Sequence, residues 1–238
     1  MNIPIKSIKL PEDCPADISL WLAHVRFDLP PDSSCFSELC ADEKMRLAAF
    51  HQTADAARFA STRAALRILL SEKLGKPPGQ ISFTVDAYGR PSVKNIPCCE
   101  AEFPFLDFNV SHSGEYGLIA LSMKRRVGVD IQQHTKLDWR EVAAVTLSTD
   151  ESAHIDQLDA PNQLATFYDY WSTKEALLKC VGVGISYGMK RISVHPRSQR
   201  SVKWLHPNNG VTRCYAAAPV DAPKNYAAQL AWSITDPC

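Results

Sequence analysis

Two long stretches of helical pattern, each stopped by glycine, constrain this 238-residue chain most. The first is expected over about 54–74, with Ala57, Ala60, Ala64, Leu66 and Leu70 as its inner face, and Gly75-Lys76-Pro77-Pro78-Gly79 ends it. The second is expected over about 162–180, and Gly182 and Gly184 break it. Each sits in the same surroundings: an opening strand, shorter helical segments, the long helix, then several strands. In the first half the opening strand is 18–25, a short helix spans about 42–50, and strands follow at 81–85, 108–113 and 116–123, with a turn at 86–91 and loop at 97–104. The second half opens on 127–131. Helix 138–145 follows, then a segment starting at Ser148 with Glu151 three residues on, the spacing of a capping box. Short strands are expected near 191–194, 202–205, 213–217 and 226–234.

This order predicts an α+β protein of two similar subdomains, residues 1–126 and 127–238. Each is a small antiparallel sheet packed with a long helix, and a pseudo-two-fold axis is expected to relate them. No linker or low-complexity run marks the junction, so tight packing and a ligand site between the halves are expected.

Lys plus Arg and Asp plus Glu each total 26, so no global field attracts nucleic acid or membrane. No stretch approaches the ~18 apolar residues of a membrane span, and the N-terminal residues 1–6 lack a signal-peptide run. Eight cysteines, at 14, 35, 40, 98, 99, 180, 214 and 238, form no Cys-x-x-Cys pair and have no histidines at zinc spacing. Scattered thiols in a reducing cytoplasm are expected. There is no P-loop and no Gly-x-Gly-x-x-Gly, which excludes the common nucleotide-binding motifs.

Chemistry is concentrated in two segments. Gly128-Val129-Asp130-Ile131 carries one carboxylate, and Trp171-Ser172-Thr173-Lys174-Glu175-Ala176-Leu177-Leu178-Lys179 carries another. Alone, an Asp ending a strand is usually a turn residue. A Glu–Lys pair four apart usually stabilises an exposed helix by ~0.2–0.5 kcal/mol. Together, Asp130 and Glu175 can hold a hard divalent cation that takes its remaining oxygens from substrate phosphates. Lys179 shares the helix face of Glu175. A metal, a lysine and a polyphosphate substrate point to a transferase.

With Phe108-Asn109-Val110-Ser111-His112-Ser113-Gly114, Tyr88-Gly89-Arg90-Pro91, and Arg58 and Arg63 on the long helix, these segments run in order over about 58–179. In that set the chain resembles the 4′-phosphopantetheinyl transferases, in their larger pseudo-dimeric type that activates peptide and polyketide synthetases. The resemblance implies a reaction. The phosphopantetheine arm of coenzyme A passes to a serine of an apo-carrier protein (acyl, peptidyl or aryl), and 3′,5′-ADP leaves. It implies Mg²⁺, with Mn²⁺ as a second candidate, on Asp130 and Glu175, and a monomer that acts without nucleic acid or membrane.

The resemblance also implies site roles. Lys179 meets the pyrophosphate. Ser111 and His112 contact the 3′-phosphate and ribose, and Arg46, Arg58, Arg63 and Arg90 contact phosphate or adenine. Helix arginines can equally be a solvated face. Leu147-Ser148-x-x-Glu151 matches the family's Phe/Leu-Ser-x-x-Glu segment, so Glu151 stands open between proton acceptor and helix cap. One position departs: Gln132 stands where the family commonly has a second acid, and an amide oxygen there, or a water, would replace a charged ligand. That departure leaves room for a catalytically impaired protein that binds coenzyme A or carrier. The basic run of Lys190, Arg191, Arg197, Arg200 and Lys203 reads either as an acidic-carrier dock or as charged surface.

Overall fold

The computed structural model describes residues 3–30, 32–95, 106–135, 138–184, 188–194, 202–208 and 211–234. Two 22-residue helices dominate, α2 (Thr53–Leu74) and α5 (Ala160–Val181). Gly75 and Gly182 end them in left-handed conformation, at φ 63° and 85°, each donating its N–H to the carbonyl four residues back. The five inner-face residues expected on α2 are all buried.

The shorter helices are α1 (Ala41–Ala48), α3 (Trp139–Thr146) and α4 (Thr149–Asp156). The strands of the first half are β1 (Ile5–Ser7), β2 (Ile18–His24), β3 (Phe83–Val85), β4 (Pro91–Val93), β5 (Asp107–Ser113) and β6 (Tyr116–Ser122). Those of the second are β7 (Val127–Gln133), β8 (Val202–Asn208), β9 (Val211–Pro219) and β10 (Tyr226–Ser233). One antiparallel sheet has the order β1-β2-β6-β5 and the other β7-β10-β9-β8, while β3 and β4 form a separate hairpin. In each half an opening strand, helices and two later strands give one order, β2-β6-β5 and β7-β10-β9.

Side chains alternate across each strand, so each sheet has two faces to cover. Leu20, Leu118, Val129, Ala218 and Leu230 meet in a core between the sheets. On the outer face of the first sheet, Phe108, Ile119 and Leu121 pack on α2. On the outer face of the second, Ala217, Ala227 and Ala231 pack on α5. The layers are therefore helix, sheet, sheet, helix. Fully burying a Leu such as Leu66 or Leu177 contributes roughly 1.5–3 kcal/mol, so each long helix is held chiefly by its buried faces.

At the seam where β5 meets β7, the contact between the halves is polar. Four backbone N–H groups of β7 donate to side chains of β5: Val127 to Asp107 (2.8 Å), Val129 to Asn109 (2.9 Å), Ile131 to Ser111 (3.3 Å) and Gln133 to Ser113 (3.0 Å). Because alternate residues share a face, all four acceptors of β5 face β7 and satisfy an edge that has no neighbouring strand on that side. Gly128 is required where β7 meets α5: a Cβ there would overlap the Ala176 carbonyl and the Cys180 nitrogen.

Three expectations change. Residues 191–194 are not a strand; a 3₁₀ turn, Met189–Arg191, is followed by backbone bound by side chains. The Lys174 ammonium donates to the Met189 carbonyl and the Val194 N–H donates to Glu151, so no partner strand is needed. The three-residue strands β1 and β4 had no periodic signal long enough to read. Cys14, Cys35, Cys40 and Cys180 are free thiols as expected, but Cys214 is disulfide-bonded, because proximity in the fold decides pairing. The expected loop at 97–104, Arg197 and Arg200 lie outside the described residues, as does the side chain of Lys203. No helix among the described residues is long and apolar enough to cross a membrane.

Candidate active site

A cleft of about 480 Å³ opens at the seam. One wall is polar: Ser111 and His112 from β5, Asp130 and Gln132 from β7, Glu175 and Lys179 from α5. The other is built by Arg46 of α1, Phe59, Thr62 and Arg63 of α2, and Val85 and Pro91 of the hairpin.

The polar wall is tightly connected. Lys179 Nζ lies 2.6 Å from Asp130 Oδ1 and donates to Ser111 Oγ at 3.1 Å. Ser111 Oγ in turn donates to Asp130 at 2.8 Å, and the Gln132 amide donates to Asp130 Oδ2 at 3.1 Å. Glu175 is different: its Oε1 is buried with no hydrogen-bond partner. Burial pushes its pKa up to about 7; Lys179 opposes that and Asp130 adds to it.

A buried carboxylate oxygen without a proton donor is what a cation would satisfy. Asp130, Glu175 and Gln132 together offer only oxygen donors from the protein, which fits Mg²⁺ or Mn²⁺. Among the described residues no trio of His, Cys, Asp or Glu gathers as a metal cage, so phosphate and water oxygens would have to complete the shell.

The raised pKa of Glu175 makes a stability prediction. Below the unfolded value both states are protonated and nothing is lost. Between that value and about 7 the unfolded carboxylate ionises first, so folded stability falls as pH rises. Glu175→Gln is therefore expected to leave thermal stability unchanged near pH 4 and to raise it near pH 8. The gain is at most about 3.5 kcal/mol, since the rise from 4.5 to about 7 is worth about 1.4 kcal/mol per pKa unit. Mg²⁺ should stabilise the wild type near pH 8 and barely affect the variant. Equal melting curves across that pH range would remove the unpaired carboxylate from the account.

At the basic end, Arg63 lies over the Phe83 ring at 4.8 Å and near Glu43 at 3.5 Å. Burial lowers its pKa; Glu43 opposes that, and Arg67 and Arg46 reinforce it. Arg63 and Arg67 share Glu43, and Arg46 and Arg63 line the cleft, so this wall carries an excess of positive charge. His112 is held below its usual pKa, first by desolvation, then by Lys179 and Arg58, which disfavours its charged form.

Arg46, Arg63, Ser111, His112, Asp130, Gln132, Glu175 and Lys179 thus come together. Three expected residues do not. Arg58 is turned to the Gly114 carbonyl (3.0 Å) and Asp55 (2.8 Å), off the cleft lining. Arg90 is consumed by the seam, on Asp107 at 2.6 Å and on three carbonyls, of Phe108, Val127 and Lys179. Glu151 is wholly buried: it accepts from the Ser148 N–H at 2.7 Å as a helix cap, from Lys174 at 2.5 Å and from the Val194 N–H at 2.8 Å. Of its two readings, the cap is the one its geometry serves. Phe59, Thr62 and Trp171 line the cleft without having been singled out as site residues. Only Trp171, inside the Trp-x-x-Lys-Glu segment, carried a sequence signal.

Comparison with known proteins identifies the family. The 4′-phosphopantetheinyl transferase superfamily matches residues 126–231, and the family's N-terminal domain matches residues 33–124. The chain belongs to the 4′-phosphopantetheinyl transferase family and is an enzyme of that type. It is 31% identical over 220 residues to slr0495 of Synechocystis sp., which carries a provisional 4′-phosphopantetheinyl transferase name; the match covers 90% of this chain and 86% of that protein. It is 30% identical over 175 residues to the 4′-phosphopantetheinyl transferase HetI of Nostoc sp., covering 71% of this chain and 70% of HetI. A Xenopus laevis L-aminoadipate-semialdehyde dehydrogenase-phosphopantetheinyl transferase is 28% identical over 199 residues, covering 72% of this chain and 61% of that one.

Proposed function

We propose that this enzyme transfers the 4′-phosphopantetheine moiety of coenzyme A to a serine of an apo-carrier protein, releasing 3′,5′-ADP with the help of Mg²⁺. The observation that carries the proposal is one cleft with two differently charged walls. Asp130, Glu175, Lys179 and His112 line the wall at the seam, and Arg46 and Arg63 line the other. That pattern suits a substrate with a pyrophosphate in the middle and a further phosphate at one end.

In this reading Asp130, Glu175 and Gln132 would hold the ion, which would neutralise pyrophosphate charge as a Lewis acid. Lys179 leaves Asp130 for the pyrophosphate and stabilises the negative charge that builds on the departing 3′,5′-ADP phosphate. Glu175, whose Oε1 has no hydrogen-bond partner, is the cleft carboxylate placed to take the proton of the attacking serine, whereas Glu151 is wholly buried away from it. Arg63, Arg46 and His112 hold the 3′-phosphate and orient the coenzyme. We further propose that residues 1–126 and 127–238 are duplicated halves related by a pseudo-two-fold axis, which their common strand order supports. One chain then suffices as a cytoplasmic monomer, and Lys190 and Arg191 contribute to docking an acidic carrier.

Release of 3′,5′-ADP, followed by chromatography, should require coenzyme A, carrier and Mg²⁺ together. Tight coenzyme binding with no release on any carrier would instead support the catalytically impaired reading. Gln132→Glu restores a charged ligand, so half-maximal activation should need several-fold less Mg²⁺; an unchanged titration would exclude residue 132 from the metal's surroundings. Replacing coenzyme A by dephospho-coenzyme A should raise KM by roughly 10- to 100-fold, given ~1.5–3 kcal/mol for a charge-assisted hydrogen bond. That handicap should shrink in Arg63→Ala and in His112→Ala. An undiminished handicap in both would move the 3′-phosphate elsewhere.

A further inference from the structure

The Arg90 side chain is only 9% exposed and reaches three elements at once. It meets Asp107 at 2.6 Å and the Phe108 carbonyl at 3.2 Å on β5, the Val127 carbonyl at 2.9 Å on β7, and the Lys179 carbonyl on α5. Those are the elements that carry Ser111, Asp130 and Lys179. The Lys179 carbonyl belongs to the last turn of α5, where carbonyls lack intrahelical donors and the helix dipole favours a cation. The Gly182 N–H satisfies the Leu178 carbonyl, and Arg90 satisfies the next one.

We propose that Arg90 is a positioning residue. It pins the last turn of α5 to β5 and β7, and so holds the Lys179 ammonium 2.6 Å from Asp130 and 3.1 Å from Ser111. Its planar fork of five donors suits this task, whereas a lysine has a single nitrogen and cannot span four acceptors on three elements. With both terminal nitrogens bonded inside the protein and its side chain off the cleft lining, Arg90 acts through Lys179 and not on the coenzyme.

The kinetic part of the test rests on the transferase reading; a second part does not. Arg90→Lys is expected to lower kcat by about 10- to 100-fold while KM for coenzyme A changes less than about threefold, the pattern of misplaced chemistry with intact binding. The handicap of dephospho-coenzyme A should equal that of the wild type. Combining Arg90→Lys with Lys179→Ala should cost no more than Lys179→Ala alone, because both act at one group. Independently of turnover, amide exchange in the last turn of α5, including Gly182, should quicken about tenfold, with the α2 interior unchanged. A smaller dephospho-coenzyme A handicap would make Arg90 a phosphate contact. Fully additive losses would make it a general stabiliser. Unaltered exchange at α5 would remove the clamp. Any of these overturns the proposal. If the wild type transfers nothing, the functional reading fails and the exchange result alone decides the positioning role. Should Arg90→Lys not fold, Asp107→Asn removes the counter-charge but keeps an acceptor for the Val127 N–H, and the same pattern is expected of it.

Discussion

Asp130→Ala and Glu175→Ala should each lower transfer by about 10³-fold or more at ordinary Mg²⁺. A metal clamp supplies several kcal/mol of charge stabilisation, and each 1.36 kcal/mol is tenfold in rate. The two variants should part company in stability. Asp130 anchors Lys179, Ser111 and Gln132, so its loss leaves three polar groups short of a partner. Glu175 carries an oxygen with no partner, so its loss near pH 8 should leave the fold as stable as before or more so. Activity lost while stability is kept is the mark of a residue held for function. The measurements are initial rates of 3′,5′-ADP release and thermal unfolding at the same pH. Near-normal rates with unchanged Mg²⁺ dependence would make both carboxylates structural.

The second large effect is on stability. Glu151 and Lys174 are both fully buried and pair at 2.5 Å. Burial lowers the pKa of Lys174, and Glu151 opposes that shift. Around the pair the Ser148 and Val194 N–H groups and the Thr146 and Met189 carbonyls are also satisfied. Removing one partner leaves a buried charge uncompensated, which costs about 3–5 kcal/mol. For a chain of this size that is roughly a 10 °C fall in Tm. Glu151→Ala and Lys174→Ala should both show it in denaturant or thermal unfolding. Glu151→Gln should also be destabilised, since a neutral amide cannot balance the ammonium. A Glu151→Gln variant with wild-type stability but no turnover would instead restore Glu151 as the proton acceptor.

Much of this architecture was legible along the chain. The long helices were readable because glycine stops and apolar periodicity act locally, within one turn of each other. Asp130, Glu175 and Lys179 were readable only because their segments together resemble a family's; alone they read as a turn acid and an exposed helix pair, and Asp130 in fact sits in the middle of β7. What was not legible lies across space. Arg90 sits in a turn whose sequence reads as an exposed phosphate-binding segment, yet its acceptors are 17, 18, 37 and 89 residues away. Glu151 carries the same capping-box spacing whether or not a lysine from α5 buries it. The alternation of Asp107, Asn109, Ser111 and Ser113 was visible only as a polar strand end, because nothing local says that a second edge strand will donate four N–H groups to it.

In the proposed reaction the seam cleft moves phosphopantetheine from coenzyme A onto a protein serine. Intact-mass spectrometry of apo-carrier proteins incubated with the wild type, coenzyme A and Mg²⁺ measures that directly. A gain of ~340 Da on the carrier serine, a covalent addition, is expected, absent after chelation and absent with Asp130→Ala. No mass gain on acyl, peptidyl or aryl carriers, from an enzyme that is folded and binds coenzyme A, would contradict it.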